Sequence, residues 1–183
     1  MVRLHPCPPV IYHKIKPLGL YLGKISMTIT PHLLAGSAVA AAATDNLPIA
    51  FFLGFFLHFL LDALPHVDPA TFFEIENNQE MPWPTWIYIF AAIEFIAVCL
   101  IIIFLFSRRP DFGVIIAGGI GGIALDIIDN NPFLRFIHQW PFFRELHFLH
   151  HKIHYKLPAR KWYWGLAPTL IVAGLSLWYL SKF

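Results

Sequence analysis

From Trp86 to Phe106 the chain runs for about 21 residues with Glu94 as its only charge, until Arg108 and Arg109 stop it. Only a helix satisfies the backbone of so long an apolar run inside hydrocarbon, so this stretch predicts a membrane-crossing helix. The whole chain agrees. Of 183 residues, 57% are hydrophobic and 13% charged, about half the charged share of an ordinary globular domain. That composition excludes a disordered chain or a coiled coil. A formal net charge of +2, with no Lys/Arg cluster among the aromatics, excludes a nucleic-acid role. Cys7 and Cys99 are too few for a disulfide framework, and Cys99 lies in an apolar run where a thiol behaves as a small hydrophobe.

Residues 1–29 are Pro-containing, mildly basic and aperiodic, and read as an appendage to a single membrane-embedded domain over residues 30–183. They lack the apolar core and cleavage site of a signal peptide. Met27 is a candidate start, followed by Thr30 as a helix cap and Pro31 in the first turn. His32–Thr44 is a short Ala-rich helix of roughly 20 Å. Pro48 opens a second helix to Leu64, ended by Pro65. Phe112–Ile128 is Gly-rich, and Gly118 and Gly122 form a small-xxx-small face for close helix approach. Trp164–Leu180 carries Trp and Tyr anchors at its ends. The expected fold class is all-α, a polytopic membrane bundle of four to five spans with one interfacial amphipathic helix.

Ionisable side chains at membrane depth are costly and mark sites or pathways. His58 and Asp62 are four apart on one helix face, with His66 and Asp68 just beyond the helix end. An imidazole and a carboxylate one turn apart can ligate one divalent cation. They can equally form a hydrogen bond that locks two helices. Asp126 and Asp129, three apart at the end of the Gly-rich span, repel unless a metal, an arginine or a shared proton sits between them. Asp129 can also be a solvated residue at a helix end. His147, His150, His151 and His154 fall within an arc of about 100° on a helical wheel, beside an apolar face of Phe142, Leu146, Leu149 and Ile153. Such a helix lies at a membrane interface. Its histidines either face headgroups or ligate a metal, for which imidazole is the commonest side chain.

One full span and the Gly-rich span separate residue 66 from residue 129, so these clusters emerge on one side of the membrane. A tight hairpin of the first two helices returns His32 to the same side. The segments on that side carry ten of the 13 Lys and Arg, which by the positive-inside tendency places the site towards the cytoplasm.

The run Thr30-Pro31-His32-Leu-Leu-Ala-Gly36, the His58-xxx-Asp62-Ala-Leu-Pro-His66-Val-Asp68 segment and the Gly-rich helix ending in Asp126 resemble the membrane-bound metal-dependent hydrolases, the family that includes the LexA-regulated inner-membrane proteins. The resemblance covers residues 27 to about 155. It implies a small multi-span helical protein of a prokaryotic inner membrane, with His/Asp metal ligands and a hydrolytic activity. The His-xxx-Asp spacing is also similar to helices of zinc-dependent phospholipase C. Where many family members carry Pro-Asp-x-Asp and His-Arg-Gly-x-x-His-Ser, this chain has Leu-Asp126-Ile-Ile-Asp129 and the four-histidine helix, which leaves the last ligands open.

The expected chemistry is metal-assisted hydrolysis of an ester or phosphoester in a small or lipid-like substrate reached from the membrane lipid. The candidate ligands are His32, His58, Asp62, His66, Asp126, His147, His150, His151 and His154, with Asp68 or Asp129 as general base. Mixed His/Asp donors favour zinc, with manganese or iron as alternatives. No Gly-x-Ser-x-Gly elbow offers another scheme. The alternative is metal or proton transport through Glu94, His58/Asp62 and Asp126, which in so small a chain requires an oligomer.

Overall fold

Alanine, leucine and glycine without charge make the first helix, and a tight polar turn ends it. The structure, a computed structural model, describes residues 28–67, 85–155, 157 and 161–182. Among them every regular element is helical: α1 Ile29–Ala43, α2 Leu47–Asp62, α3 Thr85–Phe106, α4 Phe112–Asn130, a 3-10 helix Pro132–Gln139, α5 Pro141–Ile153 and α6 Trp162–Leu180. Thr44 leaves α1 in an extended conformation. Asn46 then caps α2, its side-chain oxygen accepting the Ile49 N–H at 3.1 Å, with Pro48 in the first turn.

The expected Thr30 cap is corrected. The N-cap position is Thr28, whose hydroxyl donates to the Val67 carbonyl at 2.9 Å instead of capping. Thr30 is inside the helix, and its backbone N–H donates to Glu94 Oε1 of α3 at 3.0 Å. The lone charge of the most apolar span thus satisfies an orphan donor at the start of another helix, where a carboxylate also favours the helix dipole.

α1 is the central helix, buried at most positions from Ile29 to Ala40. It fits because glycines remove the side chains between backbones. A Cβ on Gly118 would strike the Gly36 carbonyl and the Ala40 methyl, one on Gly122 the His32 carbonyl, and one on Gly121 the Phe51 carbonyl of α2. The Gly118/Gly122 face therefore does meet another helix, and that helix is α1. Half of the apolar α4 window is buried, against 17% for α3 and α6, so α4 lies inside and the other two face outward. Outward apolar side chains such as Phe52 and Phe56 of α2, Phe104 of α3 and Ile171 of α6 are more than half exposed, and lipid is the solvent suited to such a belt.

Among the described residues three helices, α3, α4 and α6, are long and apolar enough to cross a membrane. At 1.5 Å per residue α1 and α2 reach only about 22–24 Å against a bilayer core of about 30 Å. Because Thr30 meets Glu94, α1 begins about 13 Å along α3 from the first residue of that helix. The end of the bundle that carries His32 is therefore recessed.

The opposite end is tied by Arg109. Its guanidinium is bidentate on Asp111, at 2.8 and 2.5 Å, and donates to the Leu180 carbonyl at the end of α6. The Arg109 hydrogen bonds hold the Asp111 carboxyl below its ordinary range. A depressed acid stabilises the fold above its unfolded pKa, and loses that contribution as pH falls through the folded value. Asp111→Asn is expected to cost about 0.5–1 kcal/mol at pH 7, as for a partly exposed pair. The difference from wild type should vanish in strong acid, which thermal unfolding in detergent across pH 2–7 would reveal. A difference that persists at the acid end would refute the ion-pair account.

Candidate metal centre

Two histidines and a carboxylate from α1 and α2 meet where both helices pack on the glycines of α4: a Cβ on Gly122 would strike the His32 carbonyl of α1, and one on Gly54 of α2 the Gly118 carbonyl. His32 Nε2 lies 3.5 Å from Asp62 Oδ1, and His58 Nε2 lies 3.1 Å from Asp62 Oδ2. The i,i+4 spacing of His58 and Asp62 does place them on one face. α5 supplies the lid: His150 Nε2 is 2.7 Å from Asp62 Oδ2 and 3.3 Å from His58 Nε2. Asp126 of α4 stands 3.9 and 4.0 Å from the Nε2 atoms of His58 and His150. The Tyr155 N–H donates to the Asp62 carbonyl at 2.7 Å, pinning the end of α5 to the end of α2. His66 and His154 complete the rim, their rings 4.9 Å apart. Gly165 of α6 packs against the His66–Val67 backbone, and Thr169 Oγ1 accepts the Val67 N–H at 3.3 Å.

The tautomers follow from the acceptors around each ring. His58 Nδ1–H donates to the Gly122 carbonyl at 2.8 Å, His66 Nδ1–H to the Leu64 carbonyl at 2.8 Å, and His150 Nδ1–H to Asp129 Oδ2 at 2.6 Å. Each ring therefore turns Nε2 away from its anchoring acceptor, and those of His58 and His150 face each other at 3.3 Å. Outer partners fix metal-binding histidines in this way. Four-coordinate ligands at about 2.0–2.1 Å from an ion lie about 3.3 Å from one another, close to the spacings of His58 with His150 and with Asp62. The group His58, Asp62, Asp126 and His150 is 0–4% exposed, and His32 Nδ1 has no hydrogen-bond partner among the described residues. Buried His/Asp groupings of this kind can hold a metal ion: His32–His58–Asp62, His58–Asp126–His150 and Asp62–His66–His154 each bring their ligand atoms within 4.8 Å.

A proton competes for the same lone pair. Burial lowers the His150 pKa, but the hydrogen bonds that the ring donates to the Asp129 and Asp62 carboxylates outweigh it and push the ring up to about 10. Burial instead pushes His154 down to about 4, which keeps that ring neutral and its lone pair available at physiological pH.

The histidine stripe does not act as one face. His150 and His154 turn to Asp62 and His66, whereas His147 turns to Asp129, with His151 against it at 4.3 Å between ring centroids. An arc of about 100° on a helix about 10 Å across is wide enough to divide between two centres. Asp129 is neither a solvated residue nor placed as a general base: one oxygen holds His150, and the other faces His138 and His147. Asp68 lies outside the described residues. His138 is the residue that sequence reading passed over. It sits on the 3-10 helix, whose turn no 3.6-residue pattern anticipates, and its only signal is an imidazole nine positions after Asp129. Burial holds it below its ordinary pKa.

No protein-family model, curated protein or solved structure matches the chain.

Proposed function

We propose that this protein is a membrane-embedded, divalent-metal-dependent hydrolase acting on an ester or phosphoester of a lipid-like substrate. The observation that carries the reading is the anchoring of the His58 and His150 Nδ1–H groups, which leaves two Nε2 lone pairs facing across Asp62. His32, His58, Asp62 and His150 would hold the ion, and their nitrogen and oxygen donors favour zinc. Such an ion supplies Lewis acidity that polarises the scissile group and makes water a stronger acid. Asp126, whose Oδ1 lies 3.9 and 4.0 Å from the Nε2 atoms of His58 and His150, would take the proton from water as general base. His66 and His154 line the approach.

One feature favours a lipid-like substrate. The exposed face of α5 carries Phe142, Phe148 and Leu149, as befits a helix lying in the headgroup region. In this reading α1 and α2 form a short hairpin beside the three long spans, the membrane is a prokaryotic inner membrane, and the recessed centre faces the cytoplasm. The family resemblance of the His32, His58–Asp68 and Asp126 segments supports the same activity. The transport alternative loses its path along α3, because Glu94 is engaged by the start of α1.

The test is turnover of a panel of chromogenic carboxylic esters and phosphodiesters and of phospholipids in mixed micelles. We expect activity that a zinc chelator abolishes and zinc restores. Asp126→Asn is expected to lower kcat by 10²–10⁴-fold, the usual worth of a general base, while zinc content is kept. Zinc-loaded protein that turns over none of these classes, or turnover indifferent to the chelator, would overturn the proposal.

A further inference from the structure

Three ligand-type atoms on the far side of His150 are not used by the centre above. Asp129 Oδ1, His138 Nε2 and His147 Nδ1 are buried and make no aligned hydrogen bond among the described residues. Each of the two ring nitrogens nevertheless lies 3.2 Å from Asp129 Oδ1, and all three atoms are within 4.8 Å of one another. The side chains of Asp129, His138 and His147 are 1%, 9% and 16% exposed. The two imidazoles stack with centroids 4.6 Å apart and planes at 29°, which presents both nitrogens to the same oxygen. Buried polar atoms at this spacing but without hydrogen-bond alignment are poorly placed for one another and well placed for an ion between them. The 3.2 Å separations match those of ligands sharing a four-coordinate ion.

We propose that Asp129, His138 and His147 form a second divalent-metal site, distinct from the His58/Asp62 centre and selective for zinc-type ions. Three protein donors leave a coordination position for water or an exogenous ligand, the pattern of an exchangeable rather than a closed structural site. Its histidines are more exposed than His58 and His150, so this is the site that exchanges metal more readily. Asp129 joins the two centres, since its other oxygen accepts His150 Nδ1–H at 2.6 Å. The second site thus supports the first by fixing the carboxylate that orients His150. It does not depend on hydrolysis: a chain that hydrolyses nothing would still bind the second ion.

Zinc bound by the full chain in detergent micelles, after equilibration and buffer exchange, is counted by elemental analysis, and affinities are read by competition with a chromophoric chelator. Wild type is expected to show two affinity classes. His138→Ala should carry one equivalent fewer and keep the class that depends on His58. His58→Ala should lose that class and keep the ion that depends on His138. Asp129→Asn should lose the second ion and weaken the first by 10–100-fold, the usual effect of removing an outer partner. His138→Ala with wild-type zinc content would overturn the proposal. Should His138→Ala not fold, stepwise cobalt titration of wild type decides: two spectral increments support two sites, and a single increment overturns them.

Discussion

Gly118→Ala and Gly122→Ala are expected to destabilise the protein, whereas Gly174→Ala should leave it unchanged or slightly more stable. Alanine in a helix interior is favoured over glycine by about 1 kcal/mol, so the sign depends on what the added methyl meets. At Gly174 nothing lies within 4 Å, and the propensity gain stands. At Gly118 and Gly122 the methyl meets the backbone carbonyls of Gly36 and His32, which cannot rotate aside as a side chain can. Overpacking of this kind costs about 1–3 kcal/mol, occasionally more, and exceeds the propensity gain. Separating α4 from α1 also moves His32 away from Asp126 of α4 and from His58, whose ring is held by the Gly122 carbonyl, so these variants should lose metal as well as stability. Thermal unfolding followed by size exclusion in detergent checks this, at about 2–4 °C per kcal/mol for a chain of this length. Equal midpoints for Gly118→Ala and Gly174→Ala would contradict the packing account.

Asp62→Ala is expected to have the larger effect. Its two oxygens face His32, His58 and His150, so its loss leaves three buried imidazoles without their shared acid. Removing one partner from a buried charged group costs roughly 3–5 kcal/mol. The milder Asp62→Asn keeps the shape and removes the charge that a cation needs. In a His138→Ala background, where only the inner centre responds, zinc at a hundredfold excess over Kd should stabilise the parent by about 2.7 kcal/mol. Asp62→Asn in that background should gain none of this. A zinc-dependent rise in melting temperature that survives the substitution would remove Asp62 from the centre.

The inner centre was partly legible because two of its ligands share a helix. His58 and Asp62 are one turn apart, and their neighbours are apolar, so any helical reading puts them together on a face. The position of Asp126 at the end of a glycine-rich helix was equally plain. Contacts between elements were not. Glu94 and Thr30 are 64 positions apart, and no periodicity links a carboxylate in the middle of one span to the orphan N–H of another helix. The division of the four-histidine helix was hidden for a related reason. A helical wheel gives directions but not what stands opposite, and here His147 faces Asp129 alone while His150 is held between Asp62 and Asp129.

Local chemistry settles the helices, their apolar outward faces and the glycines at which backbones can touch, because those depend on composition and on a fixed 3.6-residue turn. It also settles which side chains are able to bind a cation. Which of them share one ion is a matter of folding. His138 gains its meaning only when the 3-10 helix returns it beside Asp129, and Asp129 changes from a candidate base into the link between His150 and a second group of ligands. These assignments depend on distances of 2.6 to 4.0 Å between groups far apart along the chain, and such distances exist only once α1, α2, α4 and α5 have packed.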